Sequence, residues 1–345
     1  MNIVVLAGGT STERMISIVS GTGICHALRK KGHRAILIDI FGGVPCVDWD
    51  DPFPEEYDVE AAASFMHTFD KDIKETAAAR KSFWGENVLA LCEKADFVFL
   101  GLHGMNGEDG RVQASFDLMG IRYSGAGYLS SGMAMDKTIT KDMFRNHGVP
   151  TPPGVSFTKD TVVKKPEEAG LHFPVVVKTC CGGSSVGVYI VHDQQAYERA
   201  VQQAFLYEDE LVLEQYIKGD EYTVAVVDGT AYPIVQIKPK QGFYDYHNKY
   251  EPGSTEEICP APLSEEDTKR MQEIALDAWR ALSLDAYARF DFMMDAEGNM
   301  FCLEANTLPG MTPTSLIPQE AQALGIDYPS LCEELIRVSL KRYEE

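Results

Sequence analysis

The first forty residues switch between two hydrophobic rhythms. Residues 2–7, Asn-Ile-Val-Val-Leu-Ala, form an apolar run that stops at Gly8-Gly9, which predicts a short buried strand. From Ser17 to Lys31 the apolar residues Ile18, Ile24, Ala27 and Leu28 fall at helical spacing. Lys30-Lys31-Gly32 then supplies a basic last turn followed by glycine, a helix stop. Ala35 to Ile40 is again strand-like. Strand, glycine loop, helix and strand in this order predict a βαβ unit with a parallel sheet.

Further on the rhythm is less even. Residues 42–75 are acidic and broken by Pro45, Pro52 and Pro54, which predicts an irregular surface insertion. A helix near 85–93 leads to a third strand, Asp96 to Leu100. The glycine-rich loop from Leu102 to Gly110 follows that strand's C-terminal end, where ligand sites of open α/β sheets concentrate. Ser131 to His147 is expected to be one helix ending at Gly148. The proline cluster at 150–153 suits a domain junction. Short strands follow at Pro174 to Lys178, Val186 to Val191, Leu211 to Tyr216 and Tyr222 to Val227. A helix over 264–282 precedes a hairpin of Tyr287 to Met294 and Asn299 to Asn306, turning at Asp295-Ala296-Glu297-Gly298.

That hairpin is the most informative local feature. Side chains alternate faces along a strand, so Arg289 and Asp291 share one face, with Phe290 and Phe292 on the other. On the second strand Glu304 and Asn306 share a face, with Phe301, Leu303 and Ala305 opposite. A two-residue loop would set Glu304 opposite or diagonal to Asp291, within ~4.5–8 Å. Two carboxylates and an amide offer hard oxygen ligands suited to Mg2+. Without a cation the carboxylates would repel each other. The plain alternative is the solvated face of an ordinary hairpin.

A second pattern lies upstream. Val175-Val176-Val177-Lys178 places a lysine at the end of an apolar strand, and Thr179-Cys180-Cys181-Gly182-Gly183-Ser184-Ser185-Val186-Gly187 follows. Glycines let backbone N–H groups turn toward an anion, and serines add hydroxyl donors. The lysine precedes the glycines, so this is not a Walker A motif. With the carboxylate hairpin it predicts a phosphate-plus-metal site for phosphoryl transfer.

Composition narrows the class. The chain has 345 residues, 45% hydrophobic and 24% charged, enough for two or three folded domains. Its formal net charge of -21 disfavours general nucleic-acid binding. Eight cysteines are scattered singly apart from Cys180-Cys181, without zinc-finger spacing, as expected of free thiols in a reducing compartment. No apolar stretch reaches the ~18 residues of a membrane span, and no signal peptide is evident. A cytoplasmic protein is expected.

Taken together and in order, these strings resemble the ATP-grasp fold, specifically the D-alanine–D-alanine ligase family. The matching segments are Ala7 to Arg14, His103-Gly104 with Gly107 to Gly110, Met135-Asp136-Lys137, Lys178, and Gly183 to Gly187. Phe243 to Tyr246, Lys249-Tyr250, Arg289-Phe290-Asp291, and Glu304-Ala305-Asn306 with Pro309 to Thr312 complete the set. The resemblance implies an α/β and α+β chain. Its parts would be an open parallel N-terminal domain (1–124), a small central domain (125–216) and a C-terminal domain carrying the metal-binding strands (217–345).

It also implies roles. Lys137, Lys178 and Ser185 would bind ATP phosphates, Glu214 would face adenine and Glu221 the ribose. Asp291, Glu304 and Asn306 would hold two Mg2+ ions, with Mn2+ as a substitute. Arg289 and the Gly310 backbone would stabilise the tetrahedral intermediate. Glu13 would hold the first D-alanine's ammonium, with Ser184 and Tyr250 hydrogen-bonded nearby. His103, Glu108, Ser315 and Leu316 would lie at the substrate pockets. Lys249, a further ATP-binding residue, and Tyr250 would sit on a loop that closes over the site and keeps water from an acyl phosphate. For His103, a packed and hydrogen-bonded ring is an equal expectation. A homodimer is implied as well.

The chain departs from the family pattern at Met15, Thr179 and Cys180-Cys181-Gly182. D-serine or D-lactate as second substrate remains an alternative, as does a catalytically silent nucleotide-binding regulator. A dehydrogenase is disfavoured, because GGTSTER lacks the dinucleotide fingerprint.

Overall fold

The computed structural model describes residues 1–183, 186–240 and 253–344. The apolar opening run becomes strand β1 (Asn2–Ala7), flanked in parallel by β2 (Arg34–Asp39) and β3 (Phe97–Leu100) in the order β2-β1-β3. Both faces of β1 are covered, as parallel strands require. Ile3, Val5 and Ala7 join a core with helix α1 (Arg14–Lys30), while Val4 and Leu6 join another with Phe116 and Tyr123. Gly21 on α1 is needed for that packing: a Cβ there would lie 2.5 Å from Ala7 Cβ.

The segment 42–75 is not irregular throughout. It contains α2 (Val59–His67) and the start of α3 (Ile73–Ala79). Val59, Ala63 and Met66 form a short helical stripe buried on the α1 side of the sheet, and Asp58 caps α2 by accepting from the Ala61 N–H. The prolines merely precede it. α4 (Val88–Lys94) and α5 (Arg111–Met119) bracket β3 and its loop.

The helix expected over 131–147 is two, α6 (Tyr128–Met135) and α7 (Lys137–Asn146). Asp136 is extended between them, and its carboxylate accepts from the Ile139 N–H. An aspartate satisfying a free helix N–H is a start signal, so the chain restarts rather than continues.

A four-stranded antiparallel sheet follows, with β4 (Gly154–Thr158), β5 (Val175–Thr179), β6 (Tyr189–Val191) and β7 (Glu210–Gln215) ordered β4-β7-β5-β6 and α8 (Gln194–Ala204) packed on it. The last sheet contains β8 (Gly219–Val227), β9 (Thr230–Ala231), β10 (Val235–Pro239), β11 (Thr255–Ile258), β12 (Tyr287–Asp295) and β13 (Met300–Asn306). Its order is β11-β10-β8-β12-β13, with β9 on β8. Helix α9 (Glu265–Ala281) covers its apolar face through Met271, Ala275 and Ala278. Helices α10 (Leu316–Ala323) and α11 (Tyr328–Leu340) join its β8 and β12 to α1 in one core. No helix among the described residues is long and apolar enough to cross a membrane.

Candidate active site

Between the central and C-terminal sheets lies a cleft of ≈ 510 Å³. Val176, Ile190, Tyr216, Ile217, Met293 and Leu303 form apolar walls. Lys137, Lys178, Glu214, Glu221, Asp291 and Glu304 bring charge to it. An apolar slot with a few convergent charges suits a ligand with a flat ring and a charged tail.

Lys178 is the fourth residue of β5 and Lys137 the first of α7, so the strand end and the helix start converge. Lys137 Nζ donates to Gly182 O at 2.8 Å and lies 3.4 Å from Glu304 Oε2. Burial opposes the Lys137 charge, yet neighbouring Glu304 outweighs it and raises its pKa. Glu214 on β7 is 3% exposed and sits between two lysines: Lys141 Nζ and Lys178 Nζ each approach one of its oxygens at 2.7 Å. Burial pushes Glu214 toward protonation, but the two ammonium groups hold it below its usual value.

Lys141 was missed from sequence. Burial lowers it to about 8 despite Glu214, and its Nζ donates to Thr151 Oγ1 at 2.7 Å. The signal was available: Lys137, Thr140, Lys141 and Phe144 are the buried stripe of α7, and two lysines in a buried stripe need an acidic partner.

On the carboxylate hairpin, Asp291 pairs directly with Glu304 and Arg289 with Asn306. The register arises differently from simple alternation. A bulge falls between Asp291 and Phe292: Phe292 pairs with Cys302, so Leu303 is the extra residue. Cys302 and Ala305 therefore fill the core side, whereas Phe301 and Leu303, expected there, are only half-buried and Leu303 lines the cleft. Bulges re-aim side chains in this way beside active sites.

Asp291 is held firmly. Arg289 donates from Nε to Oδ1 and from Nη2 to Oδ2, both at 2.8 Å, and Thr223 Oγ1 donates to Oδ1 at 2.8 Å. Thr223 also escaped the sequence reading, because its relevance depends on β8 lying beside β12. Asn306 Oδ1 is buried and has no hydrogen-bond partner among the described residues. Two facing carboxylates beside an unsatisfied amide oxygen form an all-oxygen donor set that fits a hard divalent cation.

A second group of residues adjoins the loop after β5. A Cβ on Gly183 would lie 2.7 Å, and one on Gly104 2.9 Å, from Glu13 Oε2. Glu13 is thus wedged between the His103-Gly104 loop and the glycine-rich loop. His103 Nδ1 lies 2.9 Å from Leu308 O and its Nε2 3.0 Å from Ser20 Oγ. Ser20 Oγ accepts from the Met311 N–H at 3.4 Å. Burial lowers the His103 pKa, so the ring is neutral, with Nδ1–H donating to the carbonyl and Nε2 accepting from serine. His103 thereby ties the Gly310 loop to α1.

Glu108 accepts from Gly104 N at 2.6 Å and Leu308 N at 3.4 Å, and burial, reinforced by the charge of Glu13, lifts it to about 8. Ser315 Oγ accepts from Thr312 N at 3.0 Å and would touch a Cβ at Gly310 at 2.8 Å. Leu316 is buried against Val235 and Ile237. Ser184, Ser185, Lys249 and Tyr250 lie outside the described residues.

Comparison with known proteins agrees over the whole chain. A family model for the D-ala D-ala ligase N-terminus matches residues 2–126, and one for the D-ala D-ala ligase C-terminus matches residues 143–337. A D-alanine–D-alanine ligase of Pediococcus pentosaceus is 40% identical, covering 100% of this chain and 99% of that protein. One from Nitratidesulfovibrio vulgaris is 37% identical over 99% and 98%. The crystal structure of the Bacillus anthracis D-alanine–D-alanine ligase aligns with TM-score 0.76 at 36% identity, covering 99% of this chain and 98% of that one. A Bacillus anthracis D-alanine–D-alanine ligase complexed with ATP aligns with TM-score 0.76 at 33% identity over the same shares.

Proposed function

The chain belongs to the D-alanine–D-alanine ligase family, and from that premise we infer how its residues perform ATP-dependent ligation of two D-alanines for peptidoglycan synthesis. The observation that carries the reading is Asp291 paired directly with Glu304, lining one cleft with Lys137 and Lys178. Asp291, Glu304 and Asn306 would hold two Mg2+ ions, or Mn2+, which supply positive charge to the ATP phosphates during transfer. Asp291 Oδ1 already accepts two hydrogen bonds, but Oδ2 accepts one, which leaves a lone pair for a cation.

Lys137, Lys178 and Ser185 would hold the phosphates, Glu221 the ribose, and Glu214 the adenine amine through its remaining lone pairs. Glu214 also fixes Lys178 in place. A carboxylate is a poor electrophile, so the first D-alanine must be activated: its carboxylate oxygen takes the γ-phosphoryl group and ADP leaves. The neutral amine of the second D-alanine then attacks the carbonyl carbon, and phosphate departs with the C–O electron pair and takes up the proton that the nitrogen releases. Glu13 would hold the first ammonium, with Ser184 and Tyr250 beside it. Arg289 and the Gly310 N–H would face the developing oxyanion, and His103 and Glu108 would brace that loop. Ser315 and Leu316 would border the second D-alanine, and Lys249 would help close the site.

The three sheets suggest units at 1–124, 125–216 and 217–345. A cytoplasmic homodimer without nucleic-acid or membrane partners completes the reading. It is tested by phosphate release from ATP and Mg2+ across D-amino and D-hydroxy acids, repeated with Glu304→Gln. Activity with D-alanine alone and near-complete loss in the variant are expected. Turnover unchanged in the variant refutes the metal assignment. D-serine or D-lactate as preferred acceptor redirects the specificity, and no turnover with any acceptor leaves a nucleotide-binding regulator.

A further inference from the structure

Cys180-Cys181 plays no part in the ligation described above, yet the fold surrounds it with donors. Cys180 directly follows β5, and Asp136 stands at the break between α6 and α7. The Cys180 thiol donates to Asp136 Oδ1 at 3.1 Å, and Thr138 Oγ1 is 3.3 Å from the same sulfur. One ligand atom each of Asp136, Cys180 and Cys181 lies within 4.8 Å of the others. We propose that Asp136, Cys180 and Cys181 form a binding site for a thiophilic divalent cation, Zn2+ or Cd2+, beside the glycine-rich loop.

The geometry needs little rearrangement. Ligand atoms around a tetrahedral zinc lie ~3.3–3.8 Å apart, given bonds of about 2.0–2.3 Å; Cys180 Sγ and Asp136 Oδ1, at 3.1 Å, are already that close, and no pair exceeds 4.8 Å. Their frame is already fixed. Asp136 caps α7, Cys180 O accepts from the Lys137 N–H at 3.1 Å, and Cys180 N donates to Glu210 O at 3.3 Å. Cys180 is buried while Cys181 is exposed, so an ion has a route in and a position for water as fourth ligand. Glu208 lies close by, accepting from the Cys181 N–H at 2.7 Å.

Softness separates this site from the other. Two thiolates favour zinc or cadmium, whereas the oxygen donors of Asp291, Glu304 and Asn306 favour magnesium. Binding releases the two thiol protons to solvent and makes two metal–sulfur bonds; no oxidant is needed. The hydrogen bond between the two thiols holds Cys180 below its usual range and raises Cys181, so the Cys180 proton leaves first and the cation displaces the Cys181 proton. The site does not depend on the ligase mechanism, and its test uses no substrate.

The test is a Cd2+ titration of the full, reduced chain, following the ultraviolet sulfur-to-cadmium charge-transfer absorption. One equivalent per chain is expected. Cys181→Ser, at an exposed position, removes one of the two sulfur ligands, so the band falls to about half or less and binding weakens by roughly tenfold or more, while the thermal melt of the metal-free protein is unchanged. Asp136→Asn retains a good helix cap and weakens binding by roughly tenfold or more, the scale of loss caused even by outer-shell changes at metal sites. Cys46→Ser, at the separate exposed thiol, leaves the titration intact. A band of equal size and midpoint in Cys181→Ser, or an unchanged midpoint in Asp136→Asn, overturns the proposal.

Discussion

Glu214→Gln removes the one negative charge between two buried ammonium groups, each 2.7 Å away, and changes almost nothing in shape. Breaking a buried pair by neutralising one partner costs about 3–5 kcal/mol, because the remaining charge has no compensation. An independent gauge comes from Lys141. Burial already holds it at about 8 against an ordinary 10.5, equivalent to roughly 3 kcal/mol at ~1.4 kcal/mol per pH unit.

The sign with pH follows. A lysine whose folded pKa is depressed binds fewer protons folded than unfolded, so stability rises with pH between about 8 and 10.5. In the variant Lys141 falls further, and this window opens at lower pH. Urea denaturation should show a loss of ~3–5 kcal/mol at pH 7 that shrinks toward pH 10. ATP binding, measured by calorimetry, should weaken about tenfold, near 1.4 kcal/mol, because Lys178 loses its anchor. A variant as stable as the parent at pH 7, with unchanged ATP affinity, would mean that Glu214 does not compensate the two lysines.

Three further outcomes are expected. Glu108, raised to about 8 by burial, is protonated in the folded chain at pH 7. The parent should therefore lose stability as pH rises from 4.5 to 8, and Glu108→Gln should flatten that slope in denaturation curves. Gly183→Ala places a methyl 2.7 Å from Glu13 Oε2, so steady-state kinetics should show a raised KM for D-alanine. Ser20→Ala leaves His103 Nε2 without its donor, at ~1–3 kcal/mol; kcat/KM for D-alanine should fall while ATP affinity holds.

The residues themselves explain what sequence could and could not reveal. β1, β2 and β3 were legible because apolar runs between glycine and polar stops have few other interpretations. The Asp291–Glu304 pairing was legible because strand periodicity limits which carboxylates can meet. Its mechanism was not: alternation alone puts Leu303 in the core, and a bulge is a local decision between backbone pairing and side-chain packing. The α6–α7 break was hidden because Asp136 sits inside a helix-compatible run and acts only through its cap. Helix α2 was hidden by the prolines before it, although Asp58 and the 59-63-66 stripe announced it. Lys141, Thr223 and Ser20 matter through partners more than 60 residues away in sequence, which no local pattern can show.

Asp291, Glu304 and Asn306 are expected to grip divalent ions against the ATP phosphates. Anomalous scattering from crystals grown with ATP and Mn2+ tests this most directly. Manganese peaks are expected in contact with Asp291, Glu304 and Asn306 oxygens and with phosphate oxygens, and should be lost in Glu304→Gln crystals. Manganese bound elsewhere, or the same peaks persisting without the Glu304 carboxylate, would contradict this assignment.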